Sequence, residues 1–207
     1  MNLLIVAATD FEIEPFLKEN ISADILITGV GIPSTVFHLT KKLFAKKYDL
    51  AIQAGIAGAF NHQLKLSEVV AVKEETFADL GIEENGKLYS LFEKGFMNEN
   101  EFPFENGWLK NDHPVIEKIN LPYAKGITVN KIGDDILQNK MMEEKFSADV
   151  ESMEGAAFHY VCLQQQINFL QLRSISNYVG ERDKSKWELH NAIENLNTEL
   201  LKIIEKL

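Results

Sequence analysis

Cysteine is nearly absent: Cys162 is the single one in 207 residues. A lone thiol excludes a disulfide framework, and its setting in an apolar helical run predicts a buried side chain in a reducing, cytoplasmic environment. Long hydrophobic runs are missing as well. No stretch approaches the ~20 apolar residues that a membrane span needs, so no membrane partner is expected. The N-terminal MNLLIVAA, which has no basic leader and stops before Asp10, reads as a first strand and not as a signal peptide. Positive charge is in deficit: 21 Lys and Arg face 31 Asp and Glu, a net charge of -10. That balance excludes binding to the phosphate backbone of a nucleic acid, which needs clustered cations, and suits a small neutral or weakly acidic ligand. The five histidines show no ligand spacing and no cysteine pair exists, so no metal site is expected.

What is present is an ordinary globular balance, 45% hydrophobic and 25% charged, in one domain spanning 1–207. Leu3 to Ala7, Ile25 to Thr28, Leu50 to Ala54, Ser67 to Thr76, Gly126 to Ile132 and Phe169 to Ser174 read as strands. Between them lie helical patterns. FEIEPFLK puts Phe11, Phe16 and Leu17 on one face, and the stretch after Pro33 does the same with Val36, Leu39, Leu43 and Phe44. His113 and Pro114 open a short helix, and Asp134 to Phe146 reads as another with Ile136, Leu137, Met141 and Met142. The last, from about Glu188, places Leu189, Ile193, Leu196, Leu200, Ile203 and Leu207 in steps of three and four, a stripe that packs on a sheet. With about seven strands, interspersed helices and no repeat or linker, the chain is predicted to be a single α/β domain with a mostly buried sheet. Asp79 to Lys110 is the least regular part. Its Phe92, Phe96, Phe102, Phe104 and Trp108 either cover a site or subunit contact, or pack a loop.

The chain is organised around Glu151 to Gly180. Two acids, Glu151 and Glu154, flank Ser152 and Met153 at a helix start, and Arg173, Ser176 and Asn177 sit where an apolar strand runs out. Ligands of open α/β sheets bind beyond the carboxyl ends of strands, so both groups can face one crevice. Glu12 lies just past the first strand, either a surface helix acid or a member of that crevice. The Gly29-Val30-Gly31 turn lacks the third glycine and the acidic ribose partner of a dinucleotide site, which leaves a turn requiring positive φ as the simpler reading. Small residues from Gly55 to Ala59 either let a ligand approach the backbone or serve close packing.

ESMEGAA followed by LRSISN resembles the purine nucleoside phosphorylase/nucleosidase superfamily, whose bacterial methylthioadenosine/S-adenosylhomocysteine nucleosidases carry a Met-Glu-Ala helix start and an Arg-x-Ile-Ser-Asp strand end. The stretch SISNYVGERDKSKWELHNAIENL is similar to the futalosine hydrolases of menaquinone biosynthesis within it. The resemblance implies a three-layer sandwich around a central mixed sheet and hydrolysis of the N-glycosidic bond of futalosine. The alternatives are a methylthioadenosine/S-adenosylhomocysteine or aminofutalosine nucleosidase, a nucleoside phosphorylase, or a non-catalytic nucleoside binder. It implies no cofactor.

On that resemblance Glu12 orients and deprotonates the attacking water, Arg173 holds water and acids in register, and Glu154 bonds the ribose hydroxyls over which Met153 packs. Ala8, Ala57, Gly58 and Ser176 complete the substrate contacts. Arg173 alternatively forms a structural ion pair with Glu12 or Glu154. Asn177 stands where adenine-specific relatives have Asp. An amide offers one donor and one acceptor, matching the O6 and N7-H of hypoxanthine, unless it merely caps its own turn. Ile56, where a phosphorylase is expected to have a hydroxyl, and the acids Asp10, Glu12 and Glu14 favour water over phosphate as nucleophile. The purine is expected to stack near Val129 to Ile132, and a carboxylate on the 5′ side of futalosine to meet Lys87, Lys94, Arg182 or Lys186. A homodimer or larger homo-oligomer is implied, with Phe102, Pro103, Phe104 or Trp108 covering a neighbour's site.

Overall fold

The structure is a computed structural model that describes all 207 residues. In chain order β1 (Leu3–Ala7) leads through a 3-10 turn into the one-turn α1 (Glu14–Leu17), then β2 (Asp24–Ile27), α2 (Ile32–Ala45), β3 (Leu50–Ala59) and β4 (Val69–Phe77). The irregular region folds as the hairpin β5 (Gly81–Glu84) and β6 (Lys87–Ser90), followed by the short β7 (Leu109–Lys110). After these come β8 (Tyr123–Thr128), α3 (Ile136–Phe146), β9 (Val150–Ser152), α4 (Gly155–Gln164), β10 (Phe169–Tyr178) and α5 (Leu189–Ile204).

Eight strands form one mixed sheet, with β5 and β6 as a separate pair. Alternation along β1 creates three layers. Leu3, Ile5 and Ala7 pack with Leu196, Leu200 and Ile203 of α5, whereas Leu4 and Val6 pack with Leu39 of α2 and Phe158, Val161 and Cys162 of α4. Such a sheet, apolar on both faces, buries its strands as continuous hydrophobic runs. The pairing also closes on itself: β3 meets β10, β10 meets β4, β4 meets β8, β8 meets β9 and β9 returns to β3. Ala57, Ala59, Val70, Val72, Ala124, Val150 and Ile175 form a cluster of these ring strands.

Several sequence expectations shift. Where about seven strands were expected there are ten, because the short β5, β6, β7 and β9 carry too few residues to show a period. The expected strand at Gly126 to Ile132 begins at Tyr123 and ends at Thr128, so Ile132 lies in a loop. The expected strand ending at Ser174 runs on to Tyr178, held by pairing of Asn177 with Gly58 and Tyr178 with Ala59; the polar trio is part of the strand and not beyond it. The helix opened at His113 is a single 3-10 turn, Ile116–Lys118. Phe11 does not join Phe16 in the core; it is 56% exposed, because the 3-10 geometry between Asp10 and Ile13 turns Ile13 inward instead. Phe44 is exposed, and Ile136 and Leu137 are 79% and 80% exposed, since α3 buries only Met142.

Candidate active site

Everything at the site follows from a split in the sheet. The first half of β3 pairs with β1 from Leu50 to Gln53, but its end pairs on that side with β9, from Gly58. Between them the strand has no backbone partner on that edge, and its polar groups must be satisfied otherwise. They are satisfied by side chains. The N–H of Ile56 donates to Oε1 of Glu12 at 3.2 Å, and its carbonyl accepts from Nη1 of Arg173 at 3.4 Å. Oε2 of Glu12 accepts from the N–H and the hydroxyl of Thr9, at 3.0 and 3.1 Å. Three donors thus fix a carboxylate that is only 7% exposed.

Gly55 makes room for this. A Cβ there would stand 2.3 Å from Nη1 of Arg173 and 3.0 Å from Oε1 of Glu12. Arg173 is fully buried; Nη2 donates to Gln53 at 3.0 Å, and Nη1 lies 3.8 Å from Oε2 of Glu154. Glu154 does not cap its own helix. Its Oε1 reaches across to the N–H of Gly31 at 2.9 Å, a donor presented because Gly31 sits at φ 93°, where glycine is at ease. Burial pushes the Glu154 carboxyl above the usual range, against the pull of Arg173 and the Gly31 N–H.

A cavity of about 240 Å³ opens in the split. Ala8, Glu12, Ala57, Gly58, Met153, Glu154, Ser176 and Asn177 line it. Arg173 does not: it lies beneath the floor, and reaches the cavity only through Glu154 and Ile56. Asn177 is pinned, Nδ2 donating to the carbonyl of Tyr178 at 3.0 Å and Oδ1 2.8 Å from the hydroxyl of Ser176. The Ser176 hydroxyl also lies 3.2 Å from the carbonyl of Ala57, and its single proton serves one acceptor at a time.

The sequence reading missed Thr9, Phe11, Val30, Gly133, Val179 and Trp187, all on the cavity wall. Their signal was weak: apart from Trp187 they sit in turns or strand ends where exposure is not legible. Of the expected stacking region, Ile132 is on the wall while Val129 is buried. Of the four candidate cations only Arg182 lines the cavity; Lys94 pairs with Glu84, and Lys186 with Glu181 at 2.7 Å. The aromatic segment is largely spoken for within the chain. Pro103 and Phe104 are buried, the latter against Phe92 and Tyr160, and Trp108 packs on Phe146, whereas Phe96 and Phe102 are well exposed. No group of three or more His, Cys, Asp or Glu side chains is arranged to hold a metal, and no helix is long and apolar enough to cross a membrane.

Residues 23–207 match the family model of the phosphorylase superfamily. The chain belongs to that superfamily. It is 30% identical over 176 residues to the futalosine hydrolase of Thermus thermophilus, covering 83% of this chain and 76% of the relative. It is also 28% identical over 200 residues to the aminodeoxyfutalosine nucleosidase of Campylobacter jejuni, covering 92% and 77%. Among solved structures, the methylthioadenosine/S-adenosylhomocysteine nucleosidase of Colwellia psychrerythraea in complex with adenine superposes with a TM-score of 0.84 at 18% identity, over 100% of this chain and 96% of the other. The futalosine hydrolase of Helicobacter pylori gives 0.82 at 15% identity, over 100% and 98%. The two structures establish the fold, a nucleosidase-type α/β sandwich with a central mixed sheet. The sequence relatives and the superfamily make the chain an N-glycosyl hydrolase.

Proposed function

We propose that this hydrolase acts on futalosine, releasing hypoxanthine and dehypoxanthine futalosine. The observation that carries the choice of base is the pinned amide of Asn177. With Nδ2 bonded to the Tyr178 carbonyl, its second N–H remains for the O6 of a 6-oxopurine, and Oδ1 keeps a lone pair for N7-H of the leaving base. A carboxylate in that place would face the Tyr178 carbonyl acceptor to acceptor unless protonated. An unpaired buried polar group costs about 1–3 kcal/mol, enough for a preference of tenfold or more.

The chemistry divides along β3. At the Gly55 end Glu12 takes a proton from water as the oxygen bonds to C1′ of the ribose, while the C1′–N9 bond breaks, its electron pair leaves with the purine, and the purine takes a proton from solvent at N7. Glu154 bonds the ribose hydroxyls, and its charge favours the oxocarbenium-like sugar. Arg173 holds Glu154 in place from beneath, and Met153 and Ala8 pack the sugar. At the other end Asn177, positioned by Ser176, meets the base over Ala57 and Gly58. Water is favoured over phosphate because the Ile56 N–H, a donor an anion would need, is already taken by Glu12.

The test is incubation of the pure protein with futalosine, aminofutalosine and inosine, with and without phosphate, and identification of the free base. Hypoxanthine from futalosine, independent of phosphate, is the expected product. Faster release of adenine from aminofutalosine would overturn the reading and place the chain with the aminodeoxyfutalosine nucleosidases.

A further inference from the structure

Glu151 has no part in the scheme above, yet it lines the same cavity. Its place is set by register. Across the closed ring Glu151 of β9 is aligned with Gly58 of β3, and Gly58 is aligned on its other side with Asn177 of β10. Cross-strand partners project to the same face of a sheet, and Val150, the neighbour of Glu151, points the other way, into the ring cluster. Gly58 confirms the facing on the Asn177 side: a Cβ there would lie 3.4 Å from Nδ2 of Asn177 and 3.1 Å from Val179. A carboxylate and an amide therefore flank a bare strip of backbone, their Cα atoms two strand spacings, about 10 Å, apart.

That strip is three residues from Gly55, where Glu12 and Arg173 converge, a run of about 10 Å along the strand. This is the span of a nucleoside from its sugar to the far edge of its purine. If the ribose lies at the Gly55 end, the edge bearing N1, C6 and N7 lies over Gly58, between Glu151 and Asn177. The Glu151 side chain forms no hydrogen bond or ion pair with the protein; Asp79 and Arg182 act on it only through space.

We infer that Glu151 is a specificity-determining residue, its carboxylate accepting N1-H of a 6-oxopurine while Asn177 contacts O6 and N7. This rests on the proposed function and supplies its second half. Asn177 reads atoms on one side of C6, and Glu151 reads the atom on the other. The 6-oxo base carries hydrogen on N1, whereas a 6-amino base carries a lone pair there, which an ionised carboxylate rejects. Burial, then the charge of Asp79, raises the Glu151 carboxyl to about 7, with Arg182 pulling it down. Of the other acids on the cavity wall, Glu12 is held by Thr9 and Ile56, Glu154 by Gly31 and Arg173, and Glu181 is paired with Lys186. At pH 8 Glu151 is thus mostly ionised and in its accepting form.

The experiment is run at pH 8 with futalosine and aminofutalosine. Glu151→Gln, whose amide donates as readily as it accepts, is expected to lower the ratio of kcat/KM for futalosine to that for aminofutalosine at least tenfold, with the loss falling on futalosine. Independently of any variant, the wild-type protein is expected to bind 1-methylhypoxanthine at least tenfold more weakly than hypoxanthine by calorimetry. A wild type that prefers futalosine, with that ratio unchanged in Glu151→Gln or with equal binding of the two bases, overturns the role of Glu151 and leaves the proposed function standing. A wild type that prefers aminofutalosine overturns both.

Discussion

Glu12 is held by three hydrogen bonds from two residues, which fixes its orientation but spends none of its charge on an ion pair. The proposed role of Glu12 as general base is therefore separable from the fold. Glu12→Gln keeps the size and one acceptor, and is expected to lower kcat by 10²–10⁴-fold with little change in KM, measured by steady-state release of the free base. A non-catalytic nucleoside binder would instead show no turnover in the wild type to lose. Asn177→Asp is a sharper probe of the base. Its new carboxyl meets the Tyr178 carbonyl and must take up a proton to pair with it, and it then suits a 6-amino purine. The expected outcome is a shift in preference toward aminofutalosine by tenfold or more, read as the ratio of the two kcat/KM values.

Among the elements, α4 begins against a second buried acid. Oε1 of Glu75 on β4 accepts from Gln171 at 2.9 Å and Oε2 from Thr128 at 3.1 Å, in a pocket closed by the first residue of the helix. A Cβ on Gly155 would stand 1.9 Å from Oε1 of Glu75. Gly155 is therefore required by close approach, and not by any unusual φ. Gly155→Ala must push the helix start off β4, and with it Glu154, next in the chain. A loss of stability of about 1–3 kcal/mol, measured by denaturant unfolding, is expected together with a fall in kcat, since Glu154 would lose its reach to Gly31. Gly55→Ala is expected to lower activity for the parallel reason, a clash at Arg173.

At the scale of the whole molecule, pH sets the balance between buried acids and a buried imidazole. Burial raises Glu75 to about 7 and Glu151 to about 7, and lowers His159, packed on Phe169 with Nδ1 against the Leu109 carbonyl, to about 3. For the two acids the native form holds protons more tightly than the unfolded chain, whose carboxyls titrate near 4.3. Their contribution is fully present below that value and is lost as pH rises through about 7. For His159 the unfolded chain binds the proton first, near 6.5; its contribution is present above that pH and is lost as pH falls toward 3. Thermal stability is expected to be higher at pH 6 than at pH 8, a fall to which the net charge of -10 adds through self-repulsion. Glu75→Gln removes one titrating group while keeping an oxygen and a polar end in the pocket, and melting curves across pH 5–8 should show a flatter decline than the wild type.

The sequence by itself determined the class of fold, since continuous apolar runs of strand length alternating with amphipathic helices can bury both faces of a sheet only in an α/β arrangement. It also singled out Glu12, Glu154 and Asn177, because acids and amides at strand ends and helix starts stand out against apolar surroundings. Only the tertiary structure decided which neighbours β3 has on either side of Ile56, and so where the sheet parts to make a cavity. No local pattern encodes that, because it depends on β1 and β9, about 145 residues apart in the chain, meeting one strand at different heights. The same pairing sent Arg173 beneath the floor and set Glu151 opposite Asn177 across a glycine. Strand register, which a period of two leaves free to slide by pairs, is fixed by packing between distant segments.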